Sequence, residues 1–194
     1  SAAFSFFPTK NLGALGDAGC VTAQDDEVAQ RLALLRVHGS KQRYIHEVVG
    51  GNYRIDALQS AFLSVKIESA QSWIDRRIDI ADSYSAALKK IDAVTVPSVL
   101  PGYRHSFHQY TIQVPDEKRN DLIAHLDADG IGSMPYYPLC VHLQPALFAS
   151  GWRQGDFPEA EQCSLRVISL PMYPELKEEE ISAVTASVQS FFNR

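Results

Sequence analysis

No apolar stretch in the 194-residue sequence approaches the roughly 20 residues that a bilayer-crossing helix needs, which excludes a membrane span of that kind. The opening SAAFSFF has neither a basic segment nor a long apolar core, so it does not read as a secretory leader. Basic residues never gather into a stripe: the densest patch is the short GSKQRY at 39–44, and the formal net charge is −5, which argues against a nucleic-acid partner. Cysteine is scarce. Cys20, Cys140 and Cys163 lie far apart with no CxxC pair, so no zinc site or disulfide framework is indicated and a reduced cytoplasmic setting is expected. No G-x-G-x-x-G follows a strand; GALGDAG at 13–19 has the glycines but opens no helix, which removes a dehydrogenase from consideration. Internal repeats and low-complexity segments are also lacking.

What is present reads as an α/β chain with a small α+β lobe from about residue 94 onward. Residues 3–7 predict a short buried strand ended by Pro8, and Cys20–Ala23 a second. The run begins without cap or initiating methionine, as expected of a chain that continues upstream. Asp25 or Asp26 is placed to cap a helix over 26–36, with Val28, Leu32 and Leu35 on one face. Residues 37–52 are polar, aromatic and aperiodic, and a loop of that length is usually functional. A long helix follows from about Ile55 to Lys90. Ile74, Ile78, Ala81, Ser85 and Leu88 recur at spacings of three and four, and the stripe weakens near Glu68–Gln71, where a kink or break is expected. Farther on, Gln109–Val114 alternates as a strand with Tyr110 and Ile112 on one face. Asp116 is expected to cap a helix ending at Gly130, Ser133–Tyr137 and Arg166–Leu170 read as strands, and Lys177–Phe192 as a last amphipathic helix. Trp73 and Trp152 read as packing residues.

FSFFPTKNLGALGDAG holds the most chemistry. Lys10 follows an apolar run and sits near a proline; a lysine at the edge of a buried strand is partly desolvated, which disfavours its charged form and makes it a candidate amine nucleophile. Ser5 lies five residues earlier and is able to present a hydroxyl to a phosphate. Composition alone leaves the ordinary alternative open, a solvated lysine at a strand end.

SFFPTKNLGALGDAG resembles the lysine signature of the DegT/DnrJ/EryC1/StrS aminotransferases. Three further blocks resemble that family in order: HGSKQRYIHEVVGGNYRIDALQSAFLSVKI with its G-x-N-x-R core, GIGSMPYYPLCVHLQPALF, and RVISLPMYPELKEEEI. Together the four blocks cover nearly the whole chain. The resemblance implies a fold-type I transferase dependent on pyridoxal 5′-phosphate (PLP). It implies the end of the large PLP-binding domain at 1–52, a connecting helix at 53–93 and the small C-terminal domain at 94–194. The implied activity is transamination of a nucleotide-linked keto-deoxysugar at C3 or C4, with a lean toward C3 and with glutamate as amino donor.

The same resemblance assigns roles. Lys10 is the lysine that bonds PLP and later moves a proton, Ser5 binds the PLP phosphate, and Asn52 reaches the cofactor phosphate of a neighbouring subunit in a homodimer. Arg54 either grips a substrate phosphate or pairs with an acid across the dimer. Tyr137 and His142 fall in the block that closes over the sugar nucleotide, with buried core groups as the other reading. Here the sequence reads PYYPLCVH where many members have HYP followed by PLH, which alters the details of substrate contact. Lys41, Arg43 and Tyr44 either meet the substrate diphosphate or form a solvated loop face. No metal site is expected. The family's ring-nitrogen aspartate, ring-stacking group and phosphate-binding helix precede the lysine, so these 194 residues alone are expected to be inactive. Residues 1–52 on their own are expected to leave faces uncovered. The competing reading is a non-catalytic binding or dimerisation fragment of the same fold.

Overall fold

Asp25 starts the first helix. Its backbone is extended, its Oδ1 accepts the Val28 amide at 3.0 Å, and Asp26 and Glu27 in the first turn complement the helix dipole. The helix, α1, spans Asp26–Leu35. It closes into Gly39, whose φ of +71° suits glycine and whose amide donates to the Leu34 carbonyl at 2.9 Å. A Cβ there would strike the Val48 carbonyl. The structure, a computed structural model, describes residues 1–193.

Ahead of α1, β1 (Ala2–Ser5) and β2 (Gly19–Thr22) form an antiparallel hairpin with Ala2 opposite Thr22 and Ser5 opposite Gly19. The first strand was expected to be buried, and it is exposed throughout. Only two strands pair here, and the hairpin and α1 border an open cleft of about 750 Å³, so Phe4 and Val21 each remain 50% accessible. Apolar residues thus predict a strand correctly without guaranteeing a covering layer. The aperiodic stretch 37–52 holds a second hairpin, β3 (Ser40–Gln42) and β4 (Ile45–His46), too short for alternation to register. Tyr44 turns it at φ +71°, with the Arg43 guanidinium 4.8 Å from its ring centroid.

The long helix is two helices. α2 (Ala57–Lys66) and α3 (Ala70–Leu88) are separated by one 3₁₀ turn, Ile67–Ser69, where the apolar stripe weakens. The chain divides within α3 into two compact units, Ser1–Trp73 and Ile74–Arg194.

The second unit has a dense core. β5 (Tyr110–Gln113) and β6 (Val167–Leu170) pair antiparallel, with Tyr110 opposite Leu170 and Ile112 opposite Ile168. Isolated bridges extend both edges, Thr95 to Gln113 and Met134 to Ser169. The predicted strand at Ser133–Tyr137 is reduced to that Met134 bridge: Pro135 has no N–H to continue the ladder. α4 (Asp116–Ala128), α5 (Pro158–Arg166) and α6 (Glu178–Phe192) complete the unit. Pro115, not Asp116, occupies the cap of α4; Asp116 is the first helical residue, and its Oδ1 accepts the Glu117 amide at 3.2 Å. Ile80, Tyr84 and Leu88 of α3, Leu122 and Leu126 of α4, and Ile181, Val184 and Val188 of α6 enclose the sheet. Each such side chain contributes about 1.5–3 kcal/mol by leaving water. Trp152, expected to pack, is half exposed.

Candidate active site

In the first unit the lysine lies in a closed turn. The Phe6 amide donates to the Ala18 carbonyl and the Phe6 carbonyl accepts the Ala14 amide, both at 2.8 Å, which closes residues 6–14 into a loop. Inside it the Lys10 amide donates to the Phe7 carbonyl at 2.8 Å. The loop doubles back so closely that a Cβ on Gly13 would occupy the place of the Pro8 carbonyl. Lys10 is half-buried at the tip of this loop and Ser5 is exposed at its entrance. Ser5 Oγ accepts the Phe7 amide at 3.3 Å, which leaves the hydroxyl proton to be donated elsewhere.

Asn52 and Arg54 come together. Arg54 Nε donates to Asn52 Oδ1 at 2.9 Å, with both side chains exposed. The carbonyl end of the Asn52 amide is thereby engaged, which makes its NH₂ end the donor for any further partner. A bridge from Asn52 to Val37 and a bond from the Tyr53 amide to the Arg36 carbonyl at 3.0 Å anchor this segment beside the end of α1. Lys41, at the base of the hairpin whose tip is Arg43–Tyr44, pairs with Glu47 at 2.9 Å.

The second unit holds Tyr137 and His142, both on the wall of an apolar pocket of about 560 Å³ that Trp152 and Phe157 also line. Tyr137 is 69% accessible, with its ring edge-on to Tyr136. His142 is buried, and its Nε2 donates to Glu161 Oε1 at 3.0 Å. Glu161 also accepts the Gly155 amide at 2.8 and 2.9 Å and the Phe157 amide at 3.3 Å. Desolvation pushes the Glu161 carboxyl up, but these backbone donors and His142 outweigh it and hold the group below the usual glutamate range. His142 therefore tethers the pocket wall through its Nε2.

Sequence reasoning missed three residues of this arrangement. Glu161 is 19 residues from His142 and carries no motif. Gln59 and Lys66 of α2 reach the lysine loop; their signal was the i, i+3, i+4, i+7 spacing of Gln59, Phe62, Leu63 and Lys66, which marks one helix face.

A half-buried lysine on a closed turn after a strand, with a hydroxyl donor at the mouth of that turn, suits a cofactor that has an aldehyde and a phosphate. With the broken helix and the small α+β unit, this is the architecture of a fold-type I PLP-dependent transferase. Solved structures agree on the fold. The chain superposes on Streptomyces venezuelae DesV in complex with a ketimine intermediate with a TM-score of 0.94 at 38% identity, covering 100% of this chain and 52% of that one. On a Brucella abortus aminotransferase the TM-score is 0.91 at 35% identity, covering 99% and 51%. The chain belongs to the DegT/DnrJ/EryC1/StrS aminotransferase family, whose profile matches residues 1–189.

Among curated relatives, a Geobacillus stearothermophilus protein called a pleiotropic regulatory protein is 45% identical over 99% of this chain and 52% of its own length. A Streptomyces venezuelae dTDP-3-amino-3,4,6-trideoxy-alpha-D-glucose transaminase is 38% identical over 100% of this chain and 50% of its own. The chain thus spans about half the length of the curated relatives it matches. Among the described residues, no helix is long and apolar enough to cross a membrane.

Proposed function

We propose that the full-length protein containing this chain transaminates a nucleotide-linked keto-deoxysugar, with PLP on Lys10 and glutamate as amino donor. The observation that carries the reading is the closed turn at 6–14, which holds Lys10 while Ser5 at its entrance keeps a hydroxyl proton to donate. PLP, when bound, supplies the electron sink that stabilises charge on the substrate carbon. Lys10 Nζ would hold the cofactor covalently and would serve as the base that moves the proton at the substrate carbon. Ser5 donates to the cofactor phosphate.

Asn52 points its NH₂ group at the phosphate of a neighbouring subunit, an orientation supported by the Arg54 bond to its Oδ1. The working unit is then a homodimer with shared sites. Arg54 keeps its terminal nitrogens for a substrate phosphate. Tyr137 stacks on the sugar nucleotide at the rim of the second unit's pocket, and His142 with Glu161 shapes its wall. C3 is the favoured position of the keto group; the relatives named for 3-amino sugars support it. The large domain ends in residues 1–52 and the small one comprises 94–194, and the cytoplasm is the setting.

Full-length Lys10→Ala tests the reading. Loss of measurable amino transfer to a 3-keto nucleotide sugar, with the fold intact, is expected. Undiminished turnover in that variant would overturn it, and inactivity of the unaltered, cofactor-loaded protein would favour a non-catalytic dimerisation role.

A further inference from the structure

The first unit excludes few residues from water. Among the described residues only Gly13, Ala14, Gly39 and Leu63 are buried there, and three of these lie where the lysine loop meets α2. Two polar side chains of α2 seal the junction. Gln59 Oε1 accepts the Leu15 amide at 2.8 Å, and its Nε2 fills the space where Gly16 lacks a side chain. About two turns farther along the same face, Lys66 Nζ donates to the Gly13 carbonyl at 2.7 Å. That ammonium sits 5.1 Å from the Phe62 ring centroid and 5.6 Å from that of Trp73, so two aromatic faces fix it where the carbonyl needs it.

The bonds act at successive points of one short segment. Gly13 and Leu15 flank Ala14, whose amide closes the loop on the Phe6 carbonyl. Holding the carbonyl of 13 and the amide of 15 prevents the segment from sliding along α2, and Lys10 is carried by the far side of the same loop. Leu63, between the two polar groups in sequence and on the same helix face, is buried. Neither Gln59 nor Lys66 is a nucleophile here.

We infer that Gln59 and Lys66 are positioning residues for the Lys10 amine, acting through the backbone of Gly13 and Leu15. The inference rests on the proposed role of Lys10. It concerns where the amine is held rather than what bonds to it. Displacing a catalytic group by about 1 Å costs up to roughly a hundredfold in rate, so a two-point anchor on a glycine-containing loop has a direct kinetic consequence.

The test uses the full-length protein carrying Gln59→Leu, Lys66→Met or Lys66→Arg, beside Lys10→Ala. In the resting protein, hydrogen exchange at the Leu15 amide is expected to quicken about tenfold in Gln59→Leu, as befits one lost hydrogen bond. In cofactor-loaded protein, Gln59→Leu and Lys66→Met are expected to shift the pH at which the absorbance band of the Lys10-bound cofactor changes. They should also lower kcat by roughly ten- to a hundredfold with KM for the nucleotide sugar nearly constant. Lys66→Arg, which retains a donor for the Gly13 carbonyl, should recover most of kcat. Unchanged exchange, absorbance titration and kcat in both single variants, while Lys10→Ala is inactive, would overturn the inference and leave the catalytic reading standing. Lys66→Arg no better than Lys66→Met would also overturn the role of Lys66. Full activity of Lys10→Ala would instead remove the reading beneath it.

Discussion

His142 Nε2 and Glu161 Oε1 lie 3.0 Å apart, and the same carboxylate gathers the amides of Gly155 and Phe157. A single glutamate at the start of α5 thus organises the turn before its own helix and orients the histidine on the pocket wall. Its carboxyl is held below the ordinary glutamate range in the folded state. The stability it adds is therefore present above the unfolded value of 4.5 and is lost as pH falls through the lower folded value. Denaturation midpoints measured down the acid range should decline in the natural protein. Glu161→Gln, which keeps acceptors but no charge, should start lower at neutral pH and show a flatter acid limb.

Arg77 of α3 is buried and hydrogen-bonds to backbone carbonyls. One terminal nitrogen, Nη1, donates to the carbonyls of Met172 at 2.8 Å, Phe107 at 3.2 Å and His108 at 3.3 Å. Burial pulls its pKa down and Glu175 pushes it back up. Arg77→Ala leaves those carbonyls without their donor and should cost about 3 kcal/mol in urea unfolding of the second unit. Arg77→Lys should recover only part, because an ammonium is more strongly hydrated than a guanidinium and is harder to bury.

Tyr110 lies against Tyr84 in the core, ring centroids 5.1 Å apart, and shares a 2.8 Å hydrogen bond with Ser85. Desolvation raises the phenol, the Ser85 bond pulls it back, and Asp82 adds a further rise, to about 12. Between pH 10 and 12 the folded state keeps a proton that the unfolded chain has lost. The associated stability is complete below 10 and falls away as pH climbs through 12. Urea midpoints should therefore drop more steeply above about pH 10 in the natural protein than in Tyr110→Phe.

The bond from Arg54 Nε to Asn52 Oδ1 gives a prediction for cofactor affinity. If the amide is oriented by it, Arg54→Ala should weaken PLP binding to the full-length protein by about fivefold, the worth of one modest hydrogen bond. Asn52→Asp should weaken it further than Asn52→Ala, since it sets a carboxylate oxygen toward a phosphate. A fluorescence titration with PLP ranks the three; an equal affinity for Asn52→Asp and the natural protein would refute the contact.

Local rules carried a good part of the fold. The Asp25 cap, the Tyr110–Ile112 alternation and the weakened stripe at Glu68–Gln71 each depend on neighbours within a turn or two, and each has its counterpart in the structure. Where distant partners decide, the pattern gave no warning. Ser133–Tyr137 is different: Pro135, visible within the segment itself, limits its ladder to one bridge. The hairpin at 40–46 is too brief for any period. Lys10 by its own composition is an ordinary strand-end lysine; only the four-block resemblance singles it out. The anchoring role of Gln59 depends on an amide 44 residues away, and that of Glu161 on a histidine 19 away, distances at which spacing carries no information.

The two units treat their sheet edges differently. In the second, the Thr95 and Met134 bridges occupy the outer sides of β5 and β6. In the first, β1 and β2 pair only with each other among the described residues, and neither strand contains a charged residue or a proline. Nothing on Ala2–Ser5 or Gly19–Thr22 repels an incoming strand, so in this stretch by itself the hairpin is open to sheet extension. Expressed as this stretch alone, the protein should self-associate through that edge, and a lysine at Ala3 should raise its solubility more than the same change on an α6 surface position.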